Sequence, residues 1–164
     1  VEAAHQLLAI NEIGRPEFGT TVTPTVATAG TADNVVPARG HLKIDVRVES
    51  AAEKRRVESA MAALTPVDPD VIIEVTGGIN RPPMPESASA SLMPLAVAVS
   101  PGIHGCAVGG GSDGNFTAAI GVPTLDGLGA VGGGAHADHE FVVVDTMPER
   151  ARLIAGIVAR ICNP

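Results

Sequence analysis

His41-Leu42-Lys43-Ile44-Asp45-Val46-Arg47-Val48-Glu49-Ser50-Ala51-Ala52-Glu53 carries a strand pattern and a helix start back to back. Leu42, Ile44, Val46 and Val48 alternate with charged or polar neighbours, the period of a strand with one buried and one wet face. Ser50 and Glu53 then carry the S-x-x-E signature of a helix start, and Val57, Ala60, Met61 and Leu64 recur at helical spacing. A strand feeding a helix over about residues 51–64 is therefore the predicted centre of the first domain.

Upstream, Ala3, Leu7 and Ile10, flanked by Ala4 and Leu8, predict a helix that stops at Gly14 with Pro16 just beyond. Thr20 to Thr28 reads as a strand that Pro24 confines to an edge or an irregular ladder, and Gly30 to Pro37 reads as a loop. Downstream, Val71 to Val75 reads as another strand. Helix, strand, strand, helix, strand is a split-βαβ layer without its opening strand. Val1 also opens directly into a helical pattern, so the expectation is an N-terminus that has been cut.

Gly77 to Ser87, with Pro82, Pro83 and Pro85, has linker composition and puts the expected boundary near Gly77, dividing the chain into 1–77 and 78–164. In the second part Ser91 to Val99 is predicted helical despite Pro94, Ile103 to Val108 a short buried strand, and Asp113 a cap for a helix through Ile120. Val122 to Leu125 and Phe141 to Val144 are predicted strands. Thr146 with Glu149 then opens a final helix with Met147, Ala151, Ile154, Val158 and Ile161 inward. The alternation of strands and helices implies an α/β layer.

A chain of 164 residues at 45% hydrophobic is long enough for a real core, and a net charge of -7 is the wrong sign for nucleic acid or an anionic membrane surface. No apolar run reaches the roughly 18 residues of a membrane span. Cys106 and Cys162 lie far apart without ligand spacing, so they read as reduced core thiols, which favours a cytoplasmic setting. With no Trp or Tyr, recognition is expected to use polar groups and backbone rather than aromatic stacking.

Three features of the second part can carry chemistry. The glycines of Gly109-Gly110-Gly111-Ser112-Asp113 suit either backbone N–H donors approaching an anion or a tight strand-to-helix turn. Gly127, Gly129 and Gly132 match the dinucleotide fingerprint, but two further glycines and a polar loop follow where a helix should open, so that reading fails on context. His136 and His139, with Asp138 between them, offer imidazole nitrogens to a metal; by spacing alone a solvated surface cluster competes with that reading. His5, His41 and His104 have no partner motif. Asn34 suits a turn and Arg47 the wet face of a strand.

In order, the chain carries T-A-D-N-V-V-P-A-R-G-H-L-K-I-D-V-R (31–47), N-R-P-P-M (80–84), G-G-G-S-D-G-N-F-T-A-A-I-G-V-P-T-L-D-G-L-G (109–129) and G-G-G-A-H-A-D-H-E-F-V (132–142). Together these resemble the glutamate carboxypeptidase, aminoacylase and succinyl-diaminopimelate desuccinylase family over nearly the whole chain. The resemblance implies a ferredoxin-like lid, the usual dimerisation surface, inserted in an α/β catalytic domain that holds two zinc ions. Residues 1–77 then correspond to the lid without its first strand, and 78–164 to the C-terminal segment of the catalytic domain.

The same resemblance implies that His136 ligates the second metal and that Asn34 and Arg47 hold a substrate carboxylate or carbonyl. Arg81, Gly110, Gly111 and Ser112 match further substrate-side positions, with Ser112 where relatives often carry Thr and Gly114 where many carry Ala. The family's H-x-D motif, Glu-Glu pair and other metal carboxylate have no counterpart in these 164 residues. The implied activity is that of an intact homodimeric enzyme cleaving an amide or peptide bond next to a free carboxylate, in N-acyl amino acids or peptides. An upstream Glu would act as its base, and this chain alone would be inactive. The rival reading is a non-catalytic dimerisation or binding module.

Overall fold

The computed structural model describes residues 1–163. The chain divides into two compact units, Val1–Pro83 and Met84–Pro164, a few residues beyond the expected boundary at Gly77. Both combine helices with small antiparallel sheets, a mixed α/β architecture.

In the first unit, α1 (Glu2–Asn11) lies over a sheet of β1 (Thr21–Ala29) and β2 (Gly40–Arg47). The antiparallel register runs from Thr21 opposite Arg47 to Ala29 opposite Gly40, and it slips between Pro24 and Val26. Pro24 has no N–H for the ladder, so the extra residue, Thr25, is accommodated there, its hydroxyl donating to the Lys43 carbonyl at 3.2 Å. Ile10, Ile13, Val22 and Val57 form the core, with Leu42, Ile44, Val46 and Val48 half-buried against it, so the alternating face of β2 points inward as its pattern requires.

α2 (Ala51–Ala62) begins where the S-x-x-E signature places it, with the Glu53 N–H donating to the Ser50 hydroxyl at 3.1 Å. The reciprocal half of the capping box is replaced by a tertiary contact. The Glu53 carboxylate accepts from the Thr20 hydroxyl and the Arg56 guanidinium, each at 2.7 Å, and Arg56 also donates to the Ile13 carbonyl at 2.9 Å. This ties α2 to the turn that joins α1 to β1.

Two expectations for this unit are corrected. Gln6, not Leu8, joins Ile10 on the buried side of α1; Leu8 is 70% exposed while the Gln6 amide donates to the Thr65 carbonyl at 2.9 Å. Val71 to Val75 forms no strand: the sheet consists of β1 and β2, this segment pairs with neither, and Ile72 is 93% exposed.

In the second unit, α3 (Met93–Val99) and α5 (Met147–Cys162) pack through Ala96, Leu153 and Ile157. Pro94 lies in the first turn of α3, where its missing N–H costs no intrahelical bond. Gly156 allows the close approach: a Cβ there would stand 2.8 Å from Val99 Cγ1. Between these helices come α4 (Gly114–Ala119) and a two-stranded ladder of β3 (Gly132–Gly133) and β4 (Phe141–Val142).

Here too the structure departs from the periodicity. Ile103 to Val108 and Val122 to Leu125 are not strands: Ile103 and Leu125 insert single side chains into the core, and Thr124 N–H ties to the Ala88 carbonyl at 2.8 Å without a ladder. The expected strand at Phe141 to Val144 is cut to two residues. On α5 the buried residues are Leu153 and Ile157, whereas Ile154, Val158 and Ile161 are 42%, 51% and 51% exposed. The partner α3 sits on the side of α5 that carries Gly156, and this selects a face that periodicity leaves open. Cys106 and Cys162 are free but exposed, correcting the core placement. Among the described residues no helix is long and apolar enough to cross a membrane.

Candidate functional site

The glycine-rich segment before α5 builds a hairpin. Val143 N–H donates to the Val131 carbonyl at 2.8 Å, closing a ladder in which Gly132 faces Val142 and Gly133 faces Phe141. At Gly132 a Cβ would lie 2.1 Å from the Phe141 carbonyl oxygen, so the strands approach only because that residue is glycine. Gly132 thus opens a strand and not a helix, and the dinucleotide fingerprint has no structural counterpart.

His136 stands at the tip of this hairpin with φ +65, the one non-glycine residue of positive φ among those described. Two turn bonds hold it there, Ala137 N–H to the Gly134 carbonyl at 2.8 Å and Glu140 N–H to the Ala137 carbonyl at 3.0 Å. Its own N–H reaches Glu140 Oε2 at 3.3 Å. His136 is exposed, and no hydrogen bond engages its ring among the described residues. Such an imidazole can serve as a ligand. Among the described residues, however, no three His, Cys, Asp or Glu side chains are grouped to hold a metal ion. His136, Asp138 and His139 are neighbours in sequence without forming a metal cage, and the described residues do not fit a complete zinc site.

The turn at Gly110, Gly111 and Ser112 precedes α4. Gly110 is open, since a Cβ added there would meet nothing within 4 Å, whereas Ser112 N–H is already spent on Asn115 Oδ1 at 2.8 Å. The Ser112 hydroxyl accepts the Gly114 N–H at 3.0 Å, which keeps its own hydrogen for a further acceptor. Asp113 occupies the N-cap position without a side-chain cap bond; the capping expected of it is performed by Ser112. Gly114 sits tightly, 3.1 Å and 3.2 Å from Ser112 Oγ and Thr124 Cγ2 for an added Cβ, so an Ala there requires its neighbours to yield.

In the first unit Asn34 lies in the exposed loop between β1 and β2, beside an open groove of about 390 Å³ lined by Val35, Val36, Arg39 and His41. Arg47 ends β2 at its opposite end, its Nε donating to Asp45 Oδ2 at 3.0 Å while both side chains stay exposed. β2 itself spans about 23 Å at the usual rise of a strand, with the Asn34 loop leading into its first residue, Gly40, and Arg47 at its last. Arg81 is exposed in the segment that follows.

One residue with a clear structural role escaped the sequence reading. Arg150, in α5, donates from Nε to the Gly129 carbonyl at 2.8 Å and from Nη2 to the Gly127 carbonyl at 2.6 Å. The available signal was a basic residue near a helix N-terminus, where the dipole disfavours it, just after a glycine-rich loop.

Comparison with known proteins matches residues 3–160 to the peptidase family M20/M25/M40. The chain is also similar to carboxypeptidase G2 of Pseudomonas sp. (strain RS-16), 32% identical over 146 residues, which is 82% of this chain and 34% of that protein. The chain thus spans about a third of the length of this relative. With the match running from α1 to α5, the chain belongs to the M20/M25/M40 peptidase family.

Proposed function

We propose that this chain is the substrate-orienting part of a zinc-dependent hydrolase that cleaves an amide or peptide bond beside a free carboxylate. The observation that carries the reading is the exposed His136 imidazole held in a left-handed turn at a hairpin tip, within a family match that covers the hairpin. Positive φ on a non-glycine residue costs about 1–3 kcal/mol and persists where the surroundings enforce it, typically at functional sites.

In this reading His136 supplies one ligand, and the other metal ligands and the general base come from polypeptide beyond these 164 residues. When bound, zinc would supply Lewis acidity and an activated water. Arg47 presents guanidinium donors to a substrate carboxylate even while Nε holds Asp45. Arg81, Gly110, Gly111 and Ser112 are substrate-side groups, and Asn34, at the far end of β2 from Arg47, makes a separate contact. The first unit serves as a homodimerisation lid, a role its open two-stranded sheet supports.

The test compares the 164-residue chain with the full-length protein on N-acyl amino acids and peptides, with zinc content measured in parallel. The isolated chain is expected to give no turnover. His136→Ala in the full-length protein is expected to lower bound zinc from two ions toward one, with loss of activity. Turnover by the pure isolated chain, or unchanged zinc in His136→Ala, would overturn the reading.

A further inference from the structure

We propose that Arg150 is the positioning residue of the second unit, fixing the glycine-rich segment 127–134 and through it the hairpin that presents His136. Three observations converge on it. Arg150 is half-buried and divides its guanidinium between the carbonyls of Gly127 and Gly129, and no carboxylate pairs with it among the described residues. Leu128, between those carbonyls, packs against the Ala96, Leu153 and Ile157 core, so the backbone is held from both sides at one point.

Beyond that point the chain is Gly129-Ala130-Val131-Gly132-Gly133-Gly134, a run whose backbone has unusual freedom to lose. The ladder after it has only two residues in each strand, too short to order itself unaided. The fork of α5 therefore acts as the base clamp of the hairpin. Planar guanidinium geometry suits two carbonyls two residues apart, and a lysine ammonium reaches one of them as a point charge. The unfavourable placement of a cation near a helix N-terminus is thereby offset by two charge-assisted hydrogen bonds.

The proposal rests on the reading of the hairpin as the functional element, but its test needs no metal, so its failure is distinguishable from failure of the His136 zinc assignment. In the 164-residue chain, Arg150→Ala is expected to raise amide exchange at Val143, Ala137 and Glu140 by about tenfold or more. The amides of Ala96 and Ile157, inside α3 and α5 at the core, are expected to stay protected. The imidazole proton resonances of His136 should shift or broaden while those of His104 do not. Arg150→Lys should fall between the two, and methylguanidinium added to Arg150→Ala should restore protection. Arg152→Ala, which removes a bond made only to its own helix at the Pro148 carbonyl, should change none of these. Unchanged hairpin exchange in Arg150→Ala, or an equal rise at Ala96 and Ile157, would overturn the assignment.

Discussion

Glu53 shows how one side chain can hold a unit together. Its carboxyl is lowered from an ordinary 4.5 to about 2, first by the hydrogen bond from Arg56 and then by that from Thr20. Because the folded value lies below the unfolded one, this stabilisation is full above pH 4.5 and is lost as the pH falls toward 2. Glu53→Gln should therefore flatten the acid limb of stability of the first unit, measured by urea denaturation between about pH 2 and 6. Glu2, also held low by the Asp68 N–H, is present in both proteins and cancels in the comparison. An equally steep acid limb in Glu53→Gln would disprove the role. At His136 the residue-scale prediction concerns backbone: His136→Gly should leave the second unit as stable or about 1 kcal/mol more stable, and His136→Val should destabilise it by a similar amount. Thermal unfolding checks both, and a stability loss in His136→Gly would mean that its ring, not its turn, matters to the fold.

Helices and strands were legible in the sequence to different degrees, for physical reasons. α2 begins at the Ser50 cap because that signal is local, and β2 alternates because one face meets the α1 and α2 side chains. Val71 to Val75 has equally good strand composition and no ladder, since a strand exists only with a neighbour. The inward face of α5 was misread because Ile154, Val158 and Ile161 carry as strong a stripe as Leu153 and Ile157, and only the position of α3 chooses between them. Gly156 marks that choice. Ala is normally better than Gly in a helix by about 1 kcal/mol, yet Gly156→Ala should destabilise the second unit, because the new methyl meets both Val99 methyls within 3 Å. Adding Val99→Ala should recover part of the loss. Calorimetry of the single and double variants decides it; a stabilising single substitution would show that α3 and α5 can part without cost.

For the whole molecule the accessible area is 11635 Å², against about 7,500 Å² for a folded monomer of this mass and about 9,100 Å² even for two separate units of half that mass. Among the described hydrophobic residues only Ile10, Ile13, Val22, Val57, Ala96, Leu153 and Ile157 are buried, in a chain that is 45% hydrophobic. Apolar surface therefore remains open on both units, including Ile72 and Ile120 at 93% and 78% exposure. The prediction is strong binding of an environment-sensitive apolar dye by the folded chain, well above that of a compact monomer of equal mass. Dye fluorescence with cooperative unfolding recorded on the same sample tests this; a signal no greater than the control would mean that these faces are already covered in solution.

The candidate site divides along the same line as the fold. Residue types within G-G-G-A-H-A-D-H-E offer His136 and His139 alike as imidazole donors, and the proposal of His136 comes from the resemblance over the whole chain rather than from local spacing. The β2 alternation, the Ser50 cap and the family of the chain were legible without a structure, since local periodicity, local hydrogen bonds and motif order need no distant partner. Packing of the folded chain set the rest: Glu53 leaves its capping box for Thr20, Asn34 and Arg47 stand at opposite ends of β2, and Arg150 reaches back to Gly127 and Gly129. Each of these depends on which surfaces meet across tens of residues, and contacts at that range are set by packing geometry that no local pattern encodes.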